Sequence, residues 1–401
     1  MNCHAHANCL DELVDRRGSN SLKWDSVKAF LPAEAAAADP LPMWVADMDF
    51  RAPQPVIDAL TEAAQAGVFG YSFGARESYI AAVTGWQQRR FGWKVAADWV
   101  VPVSGVITAL KTIVQAFSAP GDTVLIQPPV YAHFHDDVLI NGRYPVSAPL
   151  IRTETGYRYD AAVFEAAIRP NTKIFILSNP HNPTGNVWTE DELSSMGEIC
   201  ARHGVLVVSD EIHQDLIMNP ACRHVPFASL SDTFAENSIT CTAPSKTFNL
   251  PGLQCANAFI PSPRLRAEFQ RQLERNLYPK VNAMGMVAAE AAYTHGEAWL
   301  ESLIAYVRAN HARFAAEVNG LNAGLKVLPA DALYLAWMDC QALGMDAAAL
   351  ETFMLTRARL WLDRGQKFGL EGHGYMRVNL GCPRATVDEA ISRLKTALAT
   401  I

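Results

Sequence analysis

Several side chains that could take part in covalent or acid–base chemistry follow apolar runs of this 401-residue chain. Lys246 lies in TCTAPSKTFNLPG, an uncharged, turn-rich segment that includes the end of the apolar run SITCT. A lysine whose amine attacks a carbonyl must sometimes be neutral, and desolvation or a nearby cation lowers its pKa accordingly. A loop lysine facing water is the alternative for a lone Ser-Lys pair, so the rest of the chain has to decide.

Four other segments present polar or aromatic residues after a predicted strand. Asn182 lies in SNPHNPTG, Asp210 and His213 lie in SDEIHQD, and Tyr131 ends QPPVY. The segment SGVITAL opens a predicted helix, whose free N–H groups and positive dipole end suit a phosphate. Taken singly, Asp210 could be a helix N-cap and Tyr131 a half-buried aromatic residue. Open α/β sheets bind ligands at the carboxyl ends of their strands, so one shared rim explains the whole set better.

Together these residues suit pyridoxal phosphate. A lysine can hold the aldehyde as a Schiff base, and a helix N-terminus can hold the phosphate. An ionised aspartate beside the pyridine nitrogen keeps that nitrogen protonated, which makes the ring an electron sink. An aromatic ring can stack on the cofactor, and an amide can donate to its phenolic oxygen.

The elements that must position these residues alternate from about residue 98. Helical patterns such as VITALKTIVQAF and TEDELSSMGEICARH separate short β-branched runs, and Thr189 with Glu192 forms a capping-box sequence. Runs such as VLVV and IFIL do not alternate with polar residues, which predicts a mostly parallel sheet covered by helices on both faces. The candidate strands are WVVPV (99–103), TVLIQ (123–127), KIFIL (173–177), VLVVS (205–209), SITCT (238–242) and ANAFI (256–260).

Two domains are predicted from this pattern. Residues 51–295 form a large α/β domain that binds the cofactor. Residues 1–50, an irregular N-terminal arm, join residues 296–401 in a smaller α+β domain. The C-terminal part has a long helical stretch after about 297 and helices near 345–357 and 384–399. Its predicted short strands are LKVLP, ALYLAW and YMRVNL.

Composition disfavours several classes of protein. The chain is 50% hydrophobic and 19% charged, with a mean hydropathy of +0.02, which is ordinary for a globular protein. A net charge of −7 and a pI near 5.9 argue against nucleic-acid or anionic-membrane partners. No apolar run approaches the roughly 18 residues that span a bilayer. The N-terminus carries acids where a signal peptide would be apolar, so we expect a cytoplasmic protein.

The eight cysteines do not form an obvious framework. Most lie in apolar runs, which predicts buried, reduced thiols. The exception is CHAHANC, where Cys3 and Cys9 flank His4 and His6. This segment could bind a metal, but its spacing matches no common zinc pattern, so we predict a frayed terminus and no metal site.

Over nearly its whole length the chain resembles the fold-type I pyridoxal-phosphate enzymes. Within them it is most similar to the cystathionine β-lyase (C–S lyase) branch, which is grouped with the class I and II aminotransferases. His213 stands where plain aminotransferases usually have a tyrosine, which favours this branch. The resembling segments are RRGSNSLKWD (16–25), LPMWVADMDF (41–50), FGYSF (69–73), SNPHNPTGNVWTEDEL, VVSDEIHQDL, TAPSKTFNLPGLQ and RVNLGCPR (377–384).

The resemblance implies a role for each candidate around the cofactor ring. Lys246 would be the Schiff-base lysine, and Asp210 would pair with the pyridinium nitrogen. Asn182 would bind the phenolic oxygen, Tyr131 would stack on the ring, and His213 would lie nearby.

The resemblance also implies a phosphate site and a substrate site. Gly105, Val106 and Ser245 would hold the phosphate, and Tyr71 would reach it from the neighbouring subunit of a homodimer. Arg377 would clamp the α-carboxylate of the substrate, because a planar guanidinium matches a carboxylate bidentately. The pattern of YMRVNL alone would instead suggest an exposed arginine on a strand.

Two positions depart from the pattern of the family around the phosphate. Many relatives have a basic residue eight positions after the lysine, where this chain has Gln254. Many also have a serine three positions before it, where this chain has Ala243. Thr242 could compensate for the missing hydroxyl.

The implied reaction is the β-elimination of a thiol from an L-cysteine S-conjugate such as cystathionine, a step of sulfur amino-acid metabolism. Lys246 would be both the covalent anchor of the cofactor and the general base. An aminotransferase of an L-amino acid is the main alternative, since it shares the early chemistry. A pyridoxal-phosphate-binding regulator without essential catalysis is a more remote alternative.

Overall fold

A seven-stranded sheet forms the centre of the protein. The computed structural model describes residues 10–72, 74–276 and 281–400, so the CHAHANC segment with Cys3 and Cys9 lies outside the described residues. The strands are β1 (Leu41–Pro42), β2 (Val100–Val103), β3 (Thr123–Ile126), β4 (Tyr144–Ser147), β5 (Ile151–Thr153), β6 (Gly156–Arg158), β7 (Thr172–Ser178), β8 (Leu206–Asp210), β9 (Ser238–Thr242), β10 (Ala256–Phe259), β11 (Lys326–Val327), β12 (Leu335–Asp339), β13 (Leu360–Trp361), β14 (Asp363–Arg364) and β15 (Tyr375–Asn379).

The central sheet has the order β2-β10-β9-β8-β7-β3-β4. Strands β4, β3, β7, β8 and β9 pair in parallel, whereas β10 is antiparallel to both of its neighbours. All six candidate strands of the sequence are present in it. The prediction of a mostly parallel sheet wound with helices is therefore confirmed.

Both faces of this sheet are buried. Side chains of one face pack with the helix Val106–Phe117, and those of the other face pack with the helix Glu190–Arg202. Double burial explains why the strand sequences lack polar alternation. The second helix begins with the predicted capping box, in which Thr189 and Glu192 each bond to the backbone N–H of the other.

Helices connect the strands and cover the sheets. Among the helices in the described ranges, none is long and apolar enough to cross a membrane. Their bounds are Leu22–Asp25, Val27–Phe30, Ala33–Ala37, Gln54–Gln65, Glu77–Phe91, Val106–Phe117, His133–Ile140, Ala161–Ala167, Glu190–Arg202, Asp232–Glu236, Pro244–Thr247, Pro263–Arg275, Ala283–His295, Glu297–Gly320, Ala347–Thr352 and Arg384–Leu398.

A second sheet, β11-β12-β15-β14, is antiparallel and lies in the C-terminal part of the chain. The N-terminal region reaches this part because β1 pairs in parallel with β13, with Leu41 opposite Leu360. The helix Glu297–Gly320 begins two residues after the preceding helix ends. The domain boundaries at 50/51 and 295/296 stay a prediction.

The cysteines in the described ranges are free thiols. Five of them are buried, and Cys222 is half-buried. The prediction of buried, reduced thiols therefore holds for most of these residues.

Candidate active site

The candidate residues gather at the carboxyl ends of the parallel strands. Asp210 is the last residue of β8, opposite Ser178 at the end of β7. Asn182 lies in the turn after β7, and Lys246 lies four residues after the end of β9. This edge is where ligands bind in open α/β sheets, and strand pairing alone brings these three residues to it.

Lys246 is half-buried and close to other charges. Its Nζ donates a hydrogen bond to the carbonyl oxygen of Ala46 at 2.5 Å. Burial and the positive charge of Arg377 lower the pKa of Lys246 to about 8, against the opposing effect of Asp47 and Asp210. About a tenth of the amine is therefore neutral at pH 7, and a base or nucleophile acts in that form.

The segment around Lys246 is anchored on both sides. The short helix Pro244–Thr247 follows β9 directly and has its proline in the first turn, where no N–H is needed. Thr247 donates to Oδ2 of the buried Asp215 at 2.8 Å. Asn249, with a φ of 57°, donates to the carbonyl oxygens of Met48 and Phe50. Sequence reasoning did not single out Asp215, although it lies in the quoted SDEIHQD segment.

Asp210 is 7% exposed and has few partners. Burial raises the pKa of Asp210 to about 7, while the N–H of Ile212, which donates to Oδ1 at 3.1 Å, and the charge of Lys246 act in the opposite direction. The carboxyl does not cap an α-helix, because Asp210 ends a strand. A carboxylate in this position would gain a strong partner from a protonated ring nitrogen.

His213 is a neutral, buried imidazole. Burial, followed by the charges of Lys246 and Arg377, lowers its pKa well below the ordinary value. Its ring packs edge-on against Tyr334 with the centroids 6.2 Å apart. Nδ1 of His213 has no hydrogen-bond partner among the described residues.

Tyr131 lies in a loop that is tied to its neighbours. Its ring centroid is 5.1 Å from that of His133, and burial raises the pKa of its hydroxyl. His181, buried in the SNPHNPTG turn, bonds through Nε2 to the carbonyl oxygen of Pro129 at 2.8 Å. His181 therefore links the loop of Tyr131 to the turn of Asn182, a role that the motif alone did not reveal.

Arg377 is buried on β15, which rules out an exposed strand arginine. Its Nη1 donates to Oδ1 of Asn182 at 3.2 Å, and its Nη2 donates to the carbonyl oxygen of Trp44 at 3.0 Å and to Oδ2 of Asp363 at 2.7 Å. The guanidinium carbon lies 4.8 Å from the ring centroid of Phe368. Its buried Nε is without a partner in the described parts of the chain and remains available to an acceptor.

The predicted phosphate residues occupy a helix N-terminus and the segment before Lys246. Gly105 is the N-cap of the helix that begins at Val106, and a Cβ added to it would meet no atom within 4 Å. Ser245 lies in the first turn of the helix Pro244–Thr247. Thr242 is buried and is close to Ser245 in sequence.

Three positions do not add to this phosphate site within one chain. Ala243 is buried and has no hydroxyl. Gln254, with a φ of 48°, follows the turn Pro251–Leu253 and has no charge to offer. Tyr71 is fully exposed, and no hydrogen bond or ring contact of the described residues joins it to the others.

The residues present fit pyridoxal phosphate. The site offers an amine of lowered pKa, a buried carboxyl short of partners and an amide at Asn182. It also has open space beside Gly105 and, within the described ranges, buried nitrogen atoms of His213 and Arg377 that lack partners. Such orphaned groups are uncommon in native proteins and point to a ligand that satisfies them.

Comparisons with known proteins agree with this chemistry. The family described as "Aminotransferase class I and II" matches residues 45–394. Cystathionine beta-lyase PatB of Bacillus subtilis is 43% identical over 391 residues, which cover 97% of this chain and 100% of that protein. Among solved structures, cystalysin of Treponema denticola, which contains pyridoxal 5'-phosphate, has a TM-score of 0.92 and 32% identity over 98% of both chains. The PLP-bound C-S lyase of Staphylococcus hominis has a TM-score of 0.89 and 29% identity over 97% of both chains.

Proposed function

The chain belongs to the class I and II aminotransferase family, and from this premise we propose that it is a pyridoxal-phosphate-dependent carbon–sulfur β-lyase. It cleaves an L-cysteine S-conjugate such as cystathionine, and with one water it yields a thiol, pyruvate and ammonia. One observation supports this proposal above the others: Lys246, Asp210 and Arg377 lie close together in one site. The chain that forms this site is similar over nearly its full length to a cystathionine β-lyase.

Pyridoxal phosphate, when bound, supplies an electron sink for the α-carbon of an amino acid. Asp210 would hold the ring nitrogen, Asn182 the phenolic oxygen and Tyr131 one face of the ring. Gly105, Val106 and Ser245 would hold the phosphate.

Three side chains of this protein bind the substrate, accept its proton and set the charge of the site. Arg377 binds the α-carboxylate and thereby orients the substrate. Lys246, whose amine is partly neutral, takes the proton from the α-carbon. His213 stays neutral, so it adds no positive charge that would lower the pKa of Lys246 further. The bond from the β-carbon to sulfur then breaks, and the thiol leaves.

An assay with cystathionine tests this function against the alternatives. A lyase forms pyruvate without an acceptor, whereas an aminotransferase forms its product only when an oxo acid is supplied. Parallel assays with cysteine and S-methylcysteine define which thiol leaves best. Transfer of the amino group to an added oxo acid, with no formation of pyruvate, would favour the aminotransferase, and a function that survives Lys246→Ala would favour a regulator.

Arg377→Ala should lower kcat/KM for every amino-acid substrate by roughly a hundredfold, which corresponds to about 2.7 kcal/mol. The reason is the loss of a charged, bidentate contact in a buried position. Arg377→Lys should recover only part of the loss, because an ammonium cannot form the fork. The exposed Arg364, on the neighbouring strand β14, is the matched control and should tolerate alanine.

The comparison of an amino acid with its α-carboxamide makes this test specific for the carboxylate. The wild-type enzyme should prefer the acid strongly, and Arg377→Ala should lose that preference while its visible absorption stays unchanged. Retention of the preference would mean that another residue binds the carboxylate.

A homodimer with composite sites is part of the proposal, together with a cytoplasmic location. Tyr71 is fully exposed and adjoins the exposed Val68 and Phe69, which gives this segment an apolar surface suited to a second copy. Tyr71 would complete the phosphate site of the partner subunit.

Mixed dimers test the composite site directly. Tyr71→Ala and Lys246→Ala should each be nearly inactive alone. Dissociation and reassociation of a mixture should restore activity, because one of the two sites in a hybrid dimer then has both wild-type side chains. Tyr144→Ala, at an exposed tyrosine on β4, serves as the control. A mixture that regains no activity, although hybrid dimers form, would assign Tyr71 to its own chain or to no site.

A further inference from the structure

Four charged side chains form a cluster around a buried ion pair, and none of them has a direct role in the proposed chemistry. Lys23 is completely buried, and its Nζ lies 2.6 Å from Oδ2 of Asp49. Arg16 bridges Oδ2 of Asp47 at 2.7 Å and Oδ1 of Asp49 at 2.8 Å. These residues belong to the segments RRGSNSLKWD and LPMWVADMDF.

Asp49 is the centre of this cluster. Besides the two cations, it accepts a hydrogen bond from Nε1 of Trp24 at 2.9 Å. Burial would raise the pKa of Asp49, but Lys23, Trp24 and Arg16 together lower it below its ordinary value, so the carboxylate stays charged. A buried ion pair of this kind contributes little net stability compared with well-packed apolar residues. The ion pair therefore needs another explanation than stability. Buried ion pairs can also hold a segment of chain in one specific conformation.

The two aspartates of the cluster belong to a segment that contacts the active site. We call residues 44–49 the active-site strap. The carbonyl oxygen of Trp44 accepts from Nη2 of Arg377 at 3.0 Å, and that of Ala46 accepts from Nζ of Lys246 at 2.5 Å. The strap thus contacts both the base and the carboxylate clamp through its backbone.

The other end of the strap is held by the cluster. Lys23 reaches the carbonyl oxygen of Asp47 at 3.4 Å, and Arg16 reaches that of Met48 at 3.2 Å. The backbone N–H of Asp49 donates to the carbonyl oxygen of Gly381 at 2.9 Å. Asn379 also donates to the carbonyl oxygens of Val45 and Asp47, at 2.7 and 2.6 Å, so loss of the cluster would shift the nearby carbonyl groups of Trp44 and Ala46 without releasing the strap.

We propose that the cluster of Arg16, Lys23, Asp47 and Asp49 positions the active-site strap, and through it Lys246 and Arg377. These four are positioning residues, since none of them contacts the reacting atoms. The inference rests on the proposed function, because it concerns the same site. It explains why charge is kept in a place where apolar residues would serve stability equally well.

A double variant separates positioning from stability. Lys23→Met combined with Asp49→Leu replaces the ion pair by apolar side chains, so the melting temperature should stay within a few degrees of the wild-type value. The kcat/KM should nevertheless fall roughly tenfold to a hundredfold, because small displacements of reacting groups are costly. Binding of 2-methylalanine, which has an α-carboxylate but no α-proton, should weaken as well, as followed by the visible absorption of the cofactor-loaded protein. Wild-type kcat/KM and binding in a stable double variant would overturn the proposal.

If the double variant does not fold, the variant Arg16→Gln tests the positioning role of the cluster instead. The side chain of Arg16 is 22% exposed, so its replacement should leave a folded protein. Weaker binding of 2-methylalanine is expected, and unchanged binding and turnover would overturn the proposal. Leu193→Ala, a buried change on the far face of the central sheet, is the control: it should lower the melting temperature but not the binding.

Measurements on the wild-type protein distinguish a failure of this proposal from a failure of the proposed function. If it forms no pyruvate from any cysteine conjugate, the proposed function is rejected. Binding of 2-methylalanine can still be measured in that case, and it tests the positioning on its own.

Discussion

Lys246→Ala is expected to abolish the formation of pyruvate from cystathionine, with a loss of several orders of magnitude in kcat. The sequence and the structure both place Lys246 at the rim of the central sheet, and its pKa of about 8 suits a base. The loss should exceed the usual contribution of a general base, about a hundredfold to ten-thousandfold, because the same amine also anchors the cofactor.

Chemical labelling locates the residue independently of activity. Borohydride treatment of the cofactor-loaded wild-type protein should place the cofactor-derived mass on Lys246 and on none of the other nine lysines. Lys173→Ala, at an exposed lysine on β7, should behave as the wild type in both measurements. A small added amine should restore part of the activity of Lys246→Ala, because it can act as the missing base. Label on another lysine would refute the assignment.

Asp210→Asn should give the second largest loss, about a hundredfold to a thousandfold in kcat, which is typical when preorganised charge stabilisation is removed. The amide has the size of the carboxyl but cannot keep a ring nitrogen protonated. Because Asp210 is buried and its pKa is raised to about 7, an anionic state there depends on a cationic partner. Asp210→Ala should be at least as damaging and should weaken cofactor binding moderately, whereas Asp210→Glu should be milder.

The measurements for Asp210 are single-turnover rates and the dissociation constant of pyridoxal phosphate. Asp191→Asn, an exposed change in the first turn of the helix Glu190–Arg202, is the control and should alter neither. Near-normal turnover of Asp210→Asn would contradict the role of Asp210.

The candidate site was partly accessible from the sequence because strand ends are local signals. The runs before Asn182, Asp210 and Lys246 predicted strands of a parallel sheet, and parallel strands present their carboxyl ends at one edge. Chain position therefore sufficed to bring these residues together. The family resemblance added roles to them, and it supplied Arg377, whose own strand pattern favoured an exposed residue.

Other features depended on contacts between distant parts of the chain. The strands β13 and β14 have two residues each, which is too short for a recognisable period. Lys246 and Ala46 are separated by 200 positions, and Arg377 and Trp44 by 333, so no local pattern could indicate their hydrogen bonds.

The sequence by itself determined the class of sheet, the rim that carries the chemistry, and the lysine, aspartate and asparagine on that rim. These follow from hydrophobic periodicity and from the direction of parallel strands, both of which act over short stretches of chain. Only the tertiary structure decided that Arg377 is buried, that Lys23 and Asp49 form an internal ion pair, and that the active-site strap contacts Lys246. The physical reason is that burial and pairing of a charge depend on what packs around it, and here the N-terminal region packs against both sheets.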